Sequence, residues 1–294
     1  MGILLGLTGA ISWGLADFAA RFASRRVGAY RTLFFMQFIG LVVLSVYLEL
    51  TGGISRGVAP GWQPWALAAF SGVVNTVASL SLYYSFQIGV MSIVAPVSSS
   101  YPALTVALAL LSGERLKPLG AIGIAVTLAG VILAATSFAP KVNGAAGAAV
   151  PAERAHLTKG VGWSLVAALG FGFLFWFLGF HVVPVAGSAF SVWMIRLSSF
   201  STLALVAAPA RQTLRVPRGS VWWFLLAVGV MDTVAFVANN AGLHTGQVSV
   251  VSVLASLYGA VTVLLSWIFL RERLERTQCF GIVLIFAGIV FVSL

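Results

Sequence analysis

The sequence predicts an all-α membrane protein of ten transmembrane helices in two inverted five-helix repeats. Three observations carry that prediction. Sixty per cent of the residues are hydrophobic and 8% are charged, with a mean hydropathy of +1.03, a balance far more apolar than a soluble domain sustains. Apolar runs of roughly 20 residues, the length that crosses a bilayer, recur between breaks made of charges, prolines and glycines. The stretch Gly89–Thr105 also returns in degenerate form as Gly246–Thr262.

That repeat holds a fixed register. Gly89, Ser92, Val94, Ser99, Tyr101, Ala103 and Thr105 meet Gly246, Ser249, Val251, Ser256, Tyr258, Ala260 and Thr262, and upstream Trp65, Gly72 and Asn75 meet Trp222, Gly229 and Asp232. After a one-residue slip, Glu114-Arg115-Leu116 meets Glu272-Arg273-Leu274, and Gly123 and Gly130 meet Gly281 and Gly288. A register kept over this distance marks two tandem copies of one unit.

Taken in order, the predicted spans are Ile3–Arg21, Thr32–Leu50, Pro64–Gln87, Met91–Ser112 and Leu119–Phe138, then Gly160–His181, Ser188–Ala208, Val221–Leu243, Val248–Leu270 and Thr277–Leu294. The start is apolar from residue 2 and lacks a basic leader region, so it reads as a retained span and not a signal peptide. The domains are therefore residues 1–138, a linker over 139–159 and residues 160–294. The linker is the one long polar, Gly/Ala/Pro-rich segment. Five spans per unit is an odd number, so the second unit enters the membrane from the opposite side and the repeats are inverted.

Lys and Arg set the orientation. Arg21, Arg25, Arg26, Arg31, Lys141, Arg154, Lys159, Arg211, Arg215, Arg218, Arg271, Arg273 and Arg276 fall on one side, and Arg56, Arg115 and Lys117 on the other. The first group is expected in the cytoplasm, which puts both termini outside. The net charge of +10 is thus an orientation signal facing an anionic leaflet, and no nucleic-acid partner is expected. Gly2, Gly6 and Ala10, Gly123 and Gly130, and Gly281 and Gly288 form small-residue ridges for close helix packing. Packing within a monomer accounts for them more simply than a homodimer seam.

Polar residues inside spans are costly and mark interior surfaces. The third span carries Asn75, Ser79 and Tyr83 at helical spacing, and the eighth carries Asp232, Phe236, Asn239 and Asn240 on the matching stripe. Two copies of one polar face imply a shared central site for a small-molecule substrate, whereas plain interhelical hydrogen bonding is the competing account. The fourth span adds Pro96, Ser99, Tyr101 and Pro102, and the ninth echoes it with Tyr258 but no proline, so the halves are expected to be asymmetric where a substrate or hinge would sit, with a kink at Pro96 that serves packing alone as the other account. Arg196 is the one basic residue well inside an apolar run. It is expected to pair with Asp232, with a secondary role toward a substrate carboxylate. Asp17 and Arg21, four residues apart, read as a salt bridge at the cytoplasmic end of the first span in preference to a proton relay. Trp13 and Trp176 lie deep in their spans and are candidates for an aromatic wall with Tyr101 and Tyr258.

Several chemistries are excluded. One cysteine, Cys279, permits no intramolecular disulfide and no cysteine metal cluster, and the three histidines have no ligand-like spacing. No phosphate-cradling glycine loop is present. Neither an enzyme nor a bound cofactor is expected.

Ten spans in two halves, with Gly113-Glu114-Arg115-Leu116 leading to Gly120, Gly123 and Gly130, and Arg271-Glu272-Arg273-Leu274 leading to Gly281 and Gly288, resemble the drug/metabolite transporter superfamily and within it the EamA family. The resemblance implies export of small metabolites across a bacterial cytoplasmic membrane by alternating access, with neutral or aromatic amino acids the nearest substrate class. A broad-specificity drug or nucleotide-sugar-type carrier, a sensor, and a lipid enzyme are the alternatives.

Overall fold

The computed structural model describes residues 1–53, 61–135 and 159–271, with isolated helical positions between 277 and 291. Every regular element among these residues is a helix. The first unit holds α1 (Gly2–Val27), α2 (Ala29–Leu50), α3 (Gln63–Ile88), α4 (Met91–Ser98), α5 (Pro102–Leu111) and α6 (Pro118–Ala135). The second holds α7 (Val161–Phe177), a π-helical turn (Leu178–Val182), α8 (Val183–Ala186), α9 (Ser188–Ala207), α10 (Val221–Thr245), α11 (Val248–Ala255) and α12 (Tyr258–Leu270).

Among the described residues, eight helical stretches are long and apolar enough to cross a membrane, with α4 and α5 forming one and α11 and α12 another. They match the first four and the sixth to ninth predicted spans. The fifth appears as the apolar helix α6. Most of the tenth and nearly all of the linker lie outside the described residues.

The first span is longer than its hydropathy suggests, because α1 carries Arg25 and Arg26 in its last turn. At 26 residues it is about 39 Å long, against about 30 Å for the hydrocarbon core of a bilayer. Cations in that last turn also complement the helix dipole. A single residue, Gly28, then turns the chain into α2 at φ +88°, a conformation that glycine adopts without strain.

The kink expected in the fourth span is a full break, and the ninth span has one too. The chain leaves α4 at Ser99 and α11 at Ser256, which are equivalent residues, and resumes at Pro102 and Tyr258. Proline is therefore not what makes the break. Serine hydroxyls donate back to carbonyls three residues earlier, Ser98 to Ala95, Ser99 to Pro96, Ser100 to Val97 and Ser256 to Val253, at 2.7–3.0 Å. Of these acceptors, Pro96 O and Val253 O are the ones left without the amide four residues on, because Ser100 N turns to Val97 O and Leu257 N to Leu254 O, and the Ser99 and Ser256 hydroxyls take the place of those amides.

The π-helical turn was not foreseen. It sits just ahead of Pro184, which has no N–H to give the carbonyl four residues back, and the hydrogen-bond ladder widens there by one residue.

Packing crosses between the units throughout. α1 lies mainly against α10, and α3 lies against α7. α4 packs on α12 and α5 on α11, so the two broken spans cross head to tail. Near the far ends, Gly288 sits on the backbone of α6. A Cβ at Gly288 would fall 2.6 Å from Thr127 N and 2.7 Å from Gly123 O, so Gly288 packs backbone to backbone against the Gly123 turn of α6.

Candidate functional site

The buried aromatic residues of both units converge where the broken spans cross. Tyr101 and Tyr258, equivalent in the repeat, stack with centroids 6.3 Å apart and planes 13° from parallel. Each hydroxyl reaches into the other unit's broken span, Tyr101 donating to Ser252 O at 2.9 Å and Tyr258 to Ser98 Oγ at 3.1 Å. Trp13 of α1 closes the group against Phe175, Phe236 and Tyr258, with centroids 5.4–6.3 Å apart.

These rings line a narrow slot with a cavity volume of about 30 Å³, room for a water molecule or two and well short of a small-molecule site. A ligand must push side chains aside to enter. Trp13, Asn75, Ser79, Tyr83, Tyr101, Asp232, Phe236 and Tyr258 line it, all expected from the sequence. Asp17, Leu82, Phe171 and Phe175 complete the wall.

The polar side of the slot is an ion-pair network. Asp232 accepts a hydrogen bond from Trp13 Nε1 at 3.0 Å and pairs with Arg196 Nη2. Arg196 also donates through Nη1 to Gln37 Oε1 at 2.8 Å, contacts Met36 Sδ, and lies over the Phe236 ring at 5.5 Å. It is 1% exposed, against 13% for Asp232. The expected pair is present, but Arg196 sits behind Asp232 and does not line the cavity, so the fork a substrate carboxylate would need is already occupied.

On the opposite wall, Asn75 Nδ2 donates to Ser199 Oγ at 3.2 Å, and Ser199 in turn donates to Gly72 O at 2.9 Å. Equivalent positions of the repeat thus hold different chemistry: an amide tied to a serine on one side, a carboxylate tied to an arginine on the other.

Other expected residues lie elsewhere. Trp176 is turned outward, donating to Ser112 Oγ at 2.8 Å and packing against His181. Ser99 is buried in the break beneath Gly259. Asn240 donates to Ser191 at 3.0 Å, while the buried Asn239 amide has no hydrogen-bond partner; neither lines the cavity.

Asp17, Phe171 and Phe175 were missed, although the sequence contains a signal for them. The one-residue-slipped register of the glutamate loops maps Trp13 onto Phe171 and Asp17 onto Phe175. Asp17 is also one helical turn from Trp13, on the same face. The assignment of Asp17 to Arg21 hid this, because a pair at i, i+4 looks self-sufficient.

Bonds between loops tie both ends of the bundle. At one end Glu114 accepts from Ser249 N with both carboxylate oxygens, at 3.2 and 3.3 Å, and so caps α11. Gln247 donates to Arg115 O at 2.9 Å beside it. Burial pushes the Glu114 carboxyl above its ordinary value of 4.5, and the Ser249 bonds pull it partly back. At the other end Arg25 donates to Gly89 O at 2.8 Å, and Gln87 accepts from Ala29 N at 2.9 Å. Among the described residues no group of acids, histidines or cysteines could hold a metal ion.

Comparison with known proteins agrees with this architecture. A solved crystal structure superposes with a TM-score of 0.74 at 20% identity, covering 99% of this chain and 97% of the other, which establishes the shared fold. An uncharacterized protein of Methanocaldococcus jannaschii is 31% identical over 136 residues, which is 46% of this chain and 96% of the relative. The archaeal protein is thus about as long as one repeat. The model of the EamA-like transporter family matches twice, over residues 1–136 and 158–294. The chain is a member of the EamA-like transporter family, within the drug/metabolite transporter superfamily, and a multi-pass membrane protein.

Proposed function

We propose that the protein is a secondary transporter that exports small metabolites, with neutral and aromatic amino acids the leading class, by alternating access through the central cavity. The observation that carries this reading is the slot itself. It is walled by equivalent residues of two units, Tyr101 with Tyr258 and Asn75 with Asp232, at the level where both supporting spans are broken. Backbone breaks at membrane depth are tolerated where they face a cavity or packed protein, and they provide hinges about which each unit can rock.

The same reading takes the chain as ten helices in two inverted repeats, 1–138 and 160–294, joined by a cytoplasmic linker over 139–159. The head-to-tail crossing of α4–α5 with α11–α12 and the two family matches support it. Both termini then lie outside a bacterial cytoplasmic membrane, an orientation that a reporter fused after Leu294 reads directly. One protomer holds a complete cavity, so a monomer suffices. A nucleotide-sugar-type carrier fits less well, because no described basic side chain lines the slot to meet phosphates.

Counterflow tests the reading. Proteoliposomes preloaded with unlabelled phenylalanine or leucine are expected to accumulate the labelled solute transiently, while protein-free vesicles do not. No counterflow with any neutral or aromatic amino acid would remove this substrate class.

A further inference from the structure

A second cavity, separate from the slot, opens at the arginine-rich end of the bundle. It measures about 610 Å³, well within the range of small-molecule sites. Its long wall is one stripe of α3, Val77, Leu80, Ser81 and Tyr84, spaced as a single helical face and ending beside Gln87. From Val77 to Gln87 the helix rises about 15 Å, the depth of one leaflet of hydrocarbon. Val77 is 54% exposed, Tyr84 39% and Trp163 48%, so the groove is open along its side toward lipid. Tyr84 and Trp163 meet edge to face with centroids 5.3 Å apart, an aromatic pair at the level where hydrocarbon gives way to headgroups.

The polar end of the groove carries charge of one sign. Arg31 lines it with Gln87, Gln212 and Thr213, and no carboxylate does. Arg31 Nη2 donates to Arg215 O, while its Nε is buried and has no hydrogen-bond partner. A buried guanidinium N–H without an acceptor is costly, and an anionic oxygen is the acceptor that suits it best. The exposed Arg211 and Arg215 flank Gln212 and Thr213 and add to the positive field. Duplication does not account for the charge, because the two registers of the repeat map Arg31 onto Ser188 or Ala189. Nor would a second copy of the chain answer it from alongside. Of the described acids, Asp17 and Asp232 line the central slot, and Glu49 and Glu114 lie at the far end of the bundle.

We propose that this groove is a binding site for an anionic phospholipid, with the phosphate on Arg31 and an acyl chain along Val77, Leu80 and Tyr84. The shape selects a lipid over a soluble phosphate: the apolar wall is one leaflet deep and laterally open, and basic pockets between spans are where anionic headgroups settle. The lipid touches both units, since α3 and the turn between α1 and α2 belong to the first, and Trp163 and Gln212 to the second. It therefore braces the arginine-rich end of the bundle, whatever solute the central slot carries.

Titration of the purified protein in neutral detergent tests this, with dioleoylphosphatidylglycerol, dioleoylphosphatidylcholine and glycerol 3-phosphate as probes. Binding is read by thermal unfolding and by quenching of tryptophan fluorescence with the same lipids carrying brominated chains. Phosphatidylglycerol is expected to raise the unfolding midpoint and to bind about tenfold more tightly than phosphatidylcholine, the difference that a bond to a charged phosphate supplies. Glycerol 3-phosphate, which has the phosphate without the chains, is expected not to displace it. Brominated phosphatidylglycerol should quench a fluorescence component that Trp163→Phe removes. Arg31→Gln should erase the preference for the anionic lipid. Val77→Trp crowds the apolar wall from an exposed position and keeps Arg31, and it should weaken phosphatidylglycerol binding about tenfold by unfolding shift. Equal binding of the two lipids to the wild type would mark an ordinary boundary lipid and overturn the proposal, even if no variant folded. Displacement by glycerol 3-phosphate would mark a site for soluble anions and overturn it as well. So would a preference that survives Arg31→Gln, undiminished binding in Val77→Trp, or quenching that Trp163→Phe leaves unchanged.

Discussion

Arg196→Ala is expected to reduce the yield of folded protein sharply, by the equivalent of about 3–5 kcal/mol, the usual cost of breaking one side of a buried ion pair. The substitution strands Asp232 in the apolar wall and leaves Gln37 Oε1 without its donor. The cost belongs mostly to the abandoned carboxylate and not to the lost attraction, so Asp232→Asn in the same chain should restore most of the yield. Additive losses in the double variant, measured by thermal unfolding in detergent, would show that the two residues are not coupled.

Trp13→Ala should have a comparable effect on stability, about 3–5 kcal/mol for truncating a buried tryptophan, and a larger one on function. The indole does two things: its ring is a wall shared with Phe175, Phe236 and Tyr258, and its Nε1 holds Asp232 Oδ1. Trp13→Phe separates them. It keeps an aromatic wall and drops the hydrogen bond, so it should cost about 1.5–3 kcal/mol, the range for a bond to a charged acceptor, and should retain binding. If Trp13→Phe binds substrate as poorly as Trp13→Ala, the hydrogen bond to Asp232 matters more than the aromatic wall.

The sequence made much of this legible, for identifiable reasons. Apolar runs of bilayer length locate spans because water cannot satisfy a backbone in hydrocarbon, and the register held from Trp65 to Thr105 and resumed, one residue slipped, through Gly130 exposes the duplication. Polar side chains inside spans flag interior faces, and so Asn75, Tyr83, Tyr101, Asp232 and Tyr258 could be placed at one cavity.

What escaped the sequence depends on rotation and on local substitutes. Trp176 and Phe175 are neighbours in the chain, yet only Phe175 faces inward; in a helix apolar all round, hydropathy gives no direction. The break in the ninth span was hidden because serine back-bonding at Ser256, and not proline, accommodates it. Asp17 was hidden by Arg21, whose spacing suggested a satisfied pair at a helix end. Burial overrides that reading, since Asp17 lies within a helix that continues for ten more residues to Val27.

Substrate protection of a cysteine placed in the slot tests the central claim most directly. In a Cys279→Ser background, Ser79→Cys puts a thiol on the cavity wall and Ser112→Cys puts one at the outward contact of Trp176. A small aqueous thiol reagent is expected to reach Cys at 79, and a solute carried in counterflow should slow that labelling in proportion to its occupancy while leaving position 112 unaffected. Labelling at position 79 that proceeds at full speed under saturating transported solute would mean that transport does not pass through this cavity.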